Sequence, residues 1–131
     1  QADDITRQRR AIHQRYAAGL QPLADAGHLH LPPPLGDGHN AHMFYVITDS
    51  ASTRTRLLEH LRQHGIHPVF HYVPLHTSPM GLRYGYRPGD LPVTEDLAER
   101  LIRLPCYYGL SEDDQMRVID SLHDFFRPVQ V

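Results

Sequence analysis

The strongest strand signal in the chain is His42-Met43-Phe44-Tyr45-Val46-Ile47-Thr48, in which aromatic and β-branched residues follow one another almost without a polar break. Such residues favour extended backbone, and a strand that is apolar on both sides is typical of the centre of a sheet. Either Ser50 or Ser52 can cap the helix that follows, and Gly65 marks the end of that helix. The segment therefore predicts a central strand followed by a helix.

Strand and helix signals continue on both sides of this segment. Before the central strand, the pattern predicts a helix over 5–18 that ends at Gly19 or just beyond it, and then an edge strand over 28–31. After the central strand and its helix, it predicts a strand over 66–70 and a helix that Thr94 caps. A strand over 103–107 and a last helix that Ser111 caps complete the order. Each helix has a single apolar stripe, which it can bury against one side of a sheet. We therefore expect an α+β domain, with a small, mostly antiparallel or mixed sheet and helices packed largely on one face.

The composition suits one globular domain and argues against several classes of partner. With 131 residues and a formal net charge of -2, the chain has no basic excess for a nucleic-acid partner. Cys106 is the only cysteine, so no internal disulfide can form, which is compatible with a reducing compartment. No apolar run approaches the ~20 residues of a membrane span, and the first residues lack the features of a signal segment. We therefore predict a cytoplasmic protein with no nucleic-acid and no membrane partner.

The basic residues are unusual, because all 13 are arginine and lysine is absent. A chain without lysine cannot form a Schiff base through a side-chain amine of its own. Codon bias in a GC-rich genome would explain the same absence. The sequence also begins inside a predicted helix without a methionine, and we expect it to be a piece of a longer protein.

The segment most typical of a ligand site is Val69-Phe70-His71-Tyr72-Val73-Pro74-Leu75-His76. A strand that leads into such a loop can hold polar groups at the mouth of a pocket, because the strand fixes what the loop displays. His71 and Tyr72 cannot both face the same side if the strand continues, since alternate side chains point to opposite faces. A long loop rich in Gly and Pro follows over 74–92, and loops of this length are often functional.

Several other histidines could be considered as metal ligands. His60 and His64 are one helical turn apart, and His67 is close in sequence, but no Cys, Asp or Glu stands at a spacing that would complete the site. His39 and His42 could join such a set only through tertiary contact. We therefore predict that the chain has no metal site.

Three motifs occur in a fixed order, namely His39-Asn40-Ala41-His42-Met43-Phe44-Tyr45-Val46, Phe70-His71-Tyr72-Val73-Pro74-Leu75-His76 and Arg103-Leu104-Pro105-Cys106-Tyr107-Tyr108-Gly109-Leu110-Ser111. In that order and spacing they resemble the C-terminal domain of the DegT-type sugar-nucleotide aminotransferases. The resemblance covers nearly the whole chain and implies the C-terminal small domain of the aspartate aminotransferase fold. Residues 1–131 would then be a single C-terminal domain of a longer aminotransferase, with an interdomain helix over 1–20, a sheet-and-helix domain over 21–127 and a tail over 128–131.

The resemblance also implies an activity for the parent protein. Members of the family are pyridoxal-phosphate (PLP) enzymes that move an amino group from glutamate to a keto-sugar nucleotide. The implied substrate is a 4-keto-6-deoxy dTDP-sugar, the implied role is cell-surface polysaccharide or lipopolysaccharide biosynthesis, and the implied assembly is a homodimer. In the family, the large domain supplies the Schiff-base lysine and most cofactor contacts. We therefore expect no catalytic residue and no bound cofactor in this chain alone, and predict that it is inactive by itself.

The matching motif places His71, Tyr72 and His76 as the expected substrate-binding residues, with 77–86 as part of the substrate rim. Imidazoles and phenols suit sugar hydroxyls, because they donate and accept hydrogen bonds without bringing full charge. The alternative for the two histidines is a surface or hydrogen-bonded structural role. Two further functions stay open for the chain: a stand-alone module that binds a nucleotide sugar or a regulatory ligand, and a structural dimerisation domain.

Overall fold

The computed structural model describes residues 2–70 and 73–128. It is an α+β domain, as the sequence predicts. The helices are α1 (Ala2–Asp25), α2 (Ala51–Gln63), α3 (Pro79–Arg83), α4 (Pro92–Arg100) and α5 (Glu112–Phe126). The strands are β1 (Leu29–His30), β2 (Phe44–Thr48), β3 (Val69–Phe70) and β4 (Leu101–Leu104). One 3₁₀ turn, Leu75–Thr77, precedes α3.

The four strands form one sheet in the order β1-β2-β4-β3, and every neighbouring pair is antiparallel. Strand β2 lies inside the sheet, between β1 and β4, and Phe44 pairs with Leu104 at one end of the β2–β4 ladder. The prediction of a central strand in a small, mostly antiparallel sheet is therefore confirmed.

The core lies on one face of this sheet. Phe44, Val46 and Thr48 are buried, whereas Tyr45 and Ile47 between them are only partly covered, because successive side chains of a strand point to opposite faces. The buried side chains of α1, α2 and α5 join the first face in a single apolar cluster. Helix α4 has no buried residue and contributes nothing to that cluster. The expectation that the helices pack largely on one face is thus confirmed.

Helix α1 continues well past Gly19, so the predicted helix end near this residue is wrong. The buried stripe extends through Tyr16, Leu20 and Leu23, and burial of the added turn outweighs the low helix propensity of glycine. Gly19 instead allows close packing, because a Cβ at this position would lie 2.9 Å from Ile119 Cδ1 on α5. The glycine therefore serves a helix contact rather than a helix end.

Polar contacts lock α1 against the rest of the core. The Tyr16 hydroxyl donates to the carbonyl of Pro105 at 2.6 Å, and Gln115 Nε2 donates to the Ile12 carbonyl at 2.7 Å. Arg15 Nη1 in turn donates to Gln115 Oε1 at 2.6 Å. These bonds satisfy buried polar atoms across two helices and the end of β4, so they fix how α1 lies on the domain.

Two of the predicted element boundaries need correction in the second half of the chain. The strand predicted over 103–107 is β4, which begins at Leu101 and ends before Pro105, since proline has no amide hydrogen for the ladder. The strand predicted over 66–70 is formed only at Val69–Phe70. Helix α4 starts at Pro92 with Leu91 as its N-cap, so Thr94 lies inside the helix and does not cap it.

The segment 74–92 is also more ordered than the predicted loop. It contains the 3₁₀ turn and α3, whose N-cap Ser78 accepts a hydrogen bond from the Gly81 amide at 3.1 Å. The predicted caps of the longer helices are confirmed, because Ser50 accepts from the Thr53 amide and Ser111 accepts from the Asp114 amide. Among the described residues, no helix is long and apolar enough to span a membrane.

Candidate functional site

The segment 69–76 is the predicted site, and only part of it lies within the described residues. His71 and Tyr72 fall outside them, so their role as substrate-binding residues stays a prediction. His76 is described and belongs to the 3₁₀ turn that follows β3.

The His76 side chain is buried, with 5% of its surface exposed. Its Nε2 lies 3.6 Å from Glu95 Oε2 and makes no hydrogen bond to any described residue. Glu95 comes from the first turn of α4. His76 is thus held inside the domain beside a carboxylate, and it is not the exposed surface histidine that the alternative reading of the sequence allowed.

Glu95 connects three parts of this region. Its two carboxylate oxygens accept hydrogen bonds from the Gly89 amide at 2.8 and 3.0 Å, while Oε2 also faces His76. The turn before α4, the 3₁₀ turn and α4 itself therefore meet at one carboxylate. Sequence reasoning missed Glu95, because an acidic residue in the first turn of a helix is expected simply to face the helix dipole.

A close backbone approach fixes the shape of the same region. A Cβ at Gly81 would collide with the carbonyl oxygens of Leu75 and His76, the second at 2.5 Å. Only glycine lets α3 lie so near the 3₁₀ turn. The position of the His76 backbone is therefore set by the packing of α3 onto the turn.

A cavity of about 400 Å³ opens beside His76. Its wall is mostly apolar and aromatic, with Tyr84 and Tyr86 exposed to 78% and 53%. The lining includes His76, Met80, Gly81, Tyr84, Tyr86 and Leu91. Part of the segment 77–86 lines this cavity together with the buried side chain of His76, and the role of that segment as a substrate rim stays a prediction.

A second groove, of about 540 Å³, lies on the other side of Leu75. Val73 and Leu75 border it together with Leu97 and Leu101, and Leu75 is 86% exposed. Most of the large apolar side chains exposed in the described part of the chain lie in 73–93, which we call the apolar segment. So much exposed apolar surface in one segment is typical of a surface that contacts another molecule or domain.

Three of the histidines considered as metal ligands are engaged in local structure. His60 Nε2 lies 2.9 Å from the Ser121 carbonyl, and His64 Nδ1 lies 2.8 Å from the His60 carbonyl. His39 Nδ1 accepts from the Ala41 amide at 2.8 Å. Within residues 2–70 and 73–128, no group of three or more His, Cys, Asp or Glu side chains could hold a metal ion.

Residues 1–123 match the model of the DegT/DnrJ/EryC1/StrS aminotransferase family. The chain belongs to this family. The family resemblance of its three ordered motifs is therefore confirmed.

Individual members of the DegT/DnrJ/EryC1/StrS family show the extent of the likeness. A dTDP-3-amino-3,4,6-trideoxy-alpha-D-glucose transaminase from Micromonospora megalomicea subsp. nigra is 39% identical over 118 residues, which are 88% of this chain and 31% of that protein. A pleiotropic regulatory protein from Geobacillus stearothermophilus is 32% identical over 126 residues, 95% of this chain and 33% of that protein. The crystal structure of S. venezuelae DesV matches with a TM-score of 0.85 and 31% identity over 98% of this chain and 33% of that one. This chain spans about a third of the length of these relatives.

Membership of this aminotransferase family implies PLP as the cofactor of the parent enzyme. The residues present here do not fit covalent attachment of that cofactor, because the chain contains no lysine. The described polar side chains that line the cavity are those of His76, Ser78, Tyr84 and Tyr86, which suit binding and orienting a substrate rather than transferring its amino group.

Proposed function

We propose that this chain is the substrate-wall domain, that is, the domain that forms one wall of the substrate site, of a PLP-dependent transaminase. The parent enzyme would transfer an amino group from glutamate to a 4-keto-6-deoxy sugar nucleotide. One observation carries the proposal: residues 1–123 match the aminotransferase family, and the relative that is 39% identical is a transaminase named for a dTDP-amino sugar. We propose that the product enters cell-surface polysaccharide biosynthesis in the cytoplasm. The parent enzyme would work as a homodimer.

The proposal assigns the chemistry and the substrate wall to different domains. When bound, PLP acts as the electron sink for amino transfer and is carried on a lysine of the large domain. This chain has no such lysine, and its own groups bind and orient the sugar nucleotide. The isolated chain is therefore inactive as a transaminase.

The wall itself consists of the segment 69–76 and the apolar segment that continues it. His71 and Tyr72 are proposed to contact the sugar, and His76 contributes the imidazole that lines the cavity. The exposed side chains of Val73, Leu75 and their neighbours support the proposal, because such a surface is buried when a domain closes against another.

The test is an amination assay on the longer gene product that contains this chain and a large domain. Purified protein is given PLP, nitrogen-labelled glutamate and dTDP-4-keto-6-deoxyglucose, and the labelled amino sugar is detected by mass spectrometry. We expect labelled product from the longer protein and none from the 131-residue chain. Absence of product from the longer protein, or its formation by the chain alone, would contradict the proposal.

A structural dimerisation role is the second candidate, and the apolar segment favours it. A chain that serves only to associate would self-associate through Leu75, Tyr84 and their neighbours without affecting cofactor or substrate. Sedimentation of the isolated chain with Leu75→Glu distinguishes the two roles. Loss of a dimer in this variant, together with unchanged amination by the longer protein that carries it, would favour the structural role.

A further inference from the structure

The loop between β1 and β2 lies on α1 and is held there partly by histidines, whose charge changes near neutral pH. We infer that residues 36–42, which we call the latch loop, form an acid-sensitive latch. The loop stays closed on α1 while the imidazoles of His13 and His39 are neutral, and it is released when they take up protons. The inference does not depend on the proposed function, because it concerns only contacts within this chain.

Hydrogen bonds from α1 fix the path of the latch loop. Arg10 Nη1 donates to the carbonyl oxygen of Gly36 at 3.1 Å and to that of His39 at 3.0 Å, so one guanidinium holds two points of the loop. Within the described part of the chain, no ion pair includes Arg10 or Asp37, the acidic residue of the loop. Further positive charge beside this guanidinium is therefore unfavourable.

The latch loop is also closed by a hydrogen bond that only an unprotonated nitrogen can accept. His39 Nδ1 accepts from the Ala41 amide at 2.8 Å. Ala41 is fully buried, and among the described residues other than glycine it alone has a positive φ, of 52°. This backbone conformation is unfavourable for alanine, so its contacts must maintain it, and the bond to His39 is one of them. A proton on Nδ1 removes the acceptor.

His13 is the titratable group on the α1 side of the latch. Its side chain is buried, its ring lies edge-on to that of Phe44 at 4.7 Å, and its ring centre is 6.2 Å from that of His39. Burial lowers the pKa of His13, and the neighbouring His39 and Arg10, which are both basic, lower it further. Tyr16 stacks on the same Phe44 ring and stays neutral, because burial raises the pKa of its hydroxyl. His13 therefore takes up a proton more readily when the loop is open than when it is closed.

The other titratable groups at the latch do not oppose its release. His42 Nδ1 lies 2.8 Å from Asn40 Oδ1, an acceptor that an imidazole N–H can satisfy in both the neutral and the protonated form. At the end of β4, the Cys106 thiol donates to the Ala41 carbonyl at 3.7 Å. Burial raises the pKa of this thiol, although Arg9 of α1 acts in the opposite direction, so the thiol is neutral in acid.

Acid therefore favours release of the latch loop. The ordinary pKa of an imidazole is 6.5, and that of His13 in the closed state is lower. Above this pH, His13 is neutral in both states and the contacts keep the loop closed. As the pH falls below about 6.5, the open state binds the proton first, and each such proton favours opening by up to about tenfold per pH unit.

The reaction of Cys106 with dithiodipyridine tests the inference on the 131-residue chain, because this thiol is the only one and lies against Ala41. The rate at each pH is divided by the rate for the chain unfolded in urea, which corrects for the effect of pH on the reagent and on the thiol. We expect this relative rate to rise about tenfold from about pH 7.5 to about pH 5.5. The far-UV circular dichroism should stay unchanged over the same range.

Two variants test the two histidines separately. His39→Asn does not titrate, and its side-chain oxygen can accept from the amide two residues further on, so the rise should be smaller. His13→Phe keeps an aromatic ring against Phe44 without a titrating group, and it should also reduce the rise. The double variant should show a constant relative rate. His42→Gln is the matched control, since His42 is an exposed histidine of the same loop, and this variant should keep the full rise.

Several results would overturn the inference. They are a constant relative rate in the wild-type chain, a full rise in the double variant, or loss of the rise in His42→Gln. A loss of circular dichroism that accompanies the rise would also contradict it, because the whole domain would then open. If His13→Phe does not fold, His39→Asn decides alone, since this side chain is exposed, and a full rise in that variant would contradict the latch.

Discussion

Glu95 Oε2 lies 3.6 Å from His76 Nε2, and the same carboxylate binds the Gly89 amide through both oxygens. This relationship ties the first turn of α4 to the turn that follows β3 and to the chain before α4. Because the Glu95 side chain is 23% exposed, its contacts are only partly screened by water. Glu95 therefore helps to hold the region around the cavity in shape, beside the close approach of α3 at Gly81.

Glu95→Ala should destabilise the domain by about 1–2 kcal/mol, since it removes the acceptor of the Gly89 amide and the carboxylate beside a buried imidazole. Urea unfolding followed by circular dichroism measures the change. Glu99→Ala is the matched control, because Glu99 is an exposed carboxylate of the same helix. Equal stability losses in the two variants would show that the Glu95 contacts contribute nothing.

Gly81→Ala should disturb the contact between α3 and the 3₁₀ turn. The added methyl group would collide with backbone carbonyl oxygens, which cannot move aside as a side chain can, and we expect a loss of about 1–3 kcal/mol. Gly38→Ala is the control, since a Cβ there meets no atom within 4 Å. Thermal unfolding of both variants measures the difference, and a Gly81→Ala protein as stable as Gly38→Ala would refute the close approach.

Gly19→Ala should separate α1 from α5, because the new methyl would lie 2.9 Å from Ile119 Cδ1. Ile119→Val removes the Cδ1 methyl and should recover part of the stability that Gly19→Ala loses. The effects of the two substitutions on the free energy of unfolding should therefore be non-additive in a double-mutant cycle. Guanidinium unfolding of the wild type, both single variants and the double variant measures the coupling. Strict additivity would mean that Gly19 and Ile119 do not meet.

Tyr16→Phe should cost about 1–2 kcal/mol at neutral pH, because it leaves the Pro105 carbonyl without its 2.6 Å donor. Burial raises the pKa of Tyr16 above its ordinary value of about 10. As pH rises, Tyr16 loses its phenolic proton in the unfolded chain before it does so in the folded one. The contribution of Tyr16 to the free energy of unfolding is therefore fully present below about pH 10 and is lost above it.

The stability gap between wild type and Tyr16→Phe should therefore shrink when the pH is raised from about 8 to about 11. Urea midpoints measured at both pH values give this gap, and the variant corrects for the other tyrosines that titrate in the same range. A gap that stays constant or widens would contradict the buried, hydrogen-bonded state of Tyr16.

Local signals in the sequence were enough to predict the general fold. The apolar run at β2 and the caps Ser50 and Ser111 depend on neighbours in sequence, and each lies where it was expected. The end of α1 could not be predicted, because the role of Gly19 is set by Ile119, which is distant in the chain. The start of β4 depends likewise on its register with β2.

The candidate site was predictable in outline only. A strand that leads into histidines and a proline pointed to the segment 69–76, and His76 of that segment lines a cavity. Its burial and its partner Glu95 follow from how α4 packs back onto the turn, which no local pattern reports. The roles of His71 and Tyr72 remain predictions.

The absorbance of the cofactor tests the central claim most directly. The longer protein is purified with PLP, glutamate is added, and the cofactor spectrum is recorded before and after addition of dTDP-4-keto-6-deoxyglucose. The account predicts that glutamate converts the bound cofactor to its amine form, that the keto sugar restores the original spectrum, and that the 131-residue chain shows neither change. A longer protein that binds no PLP, or whose spectrum does not respond to glutamate, would contradict the assignment of this chain to the substrate wall of a sugar-nucleotide transaminase.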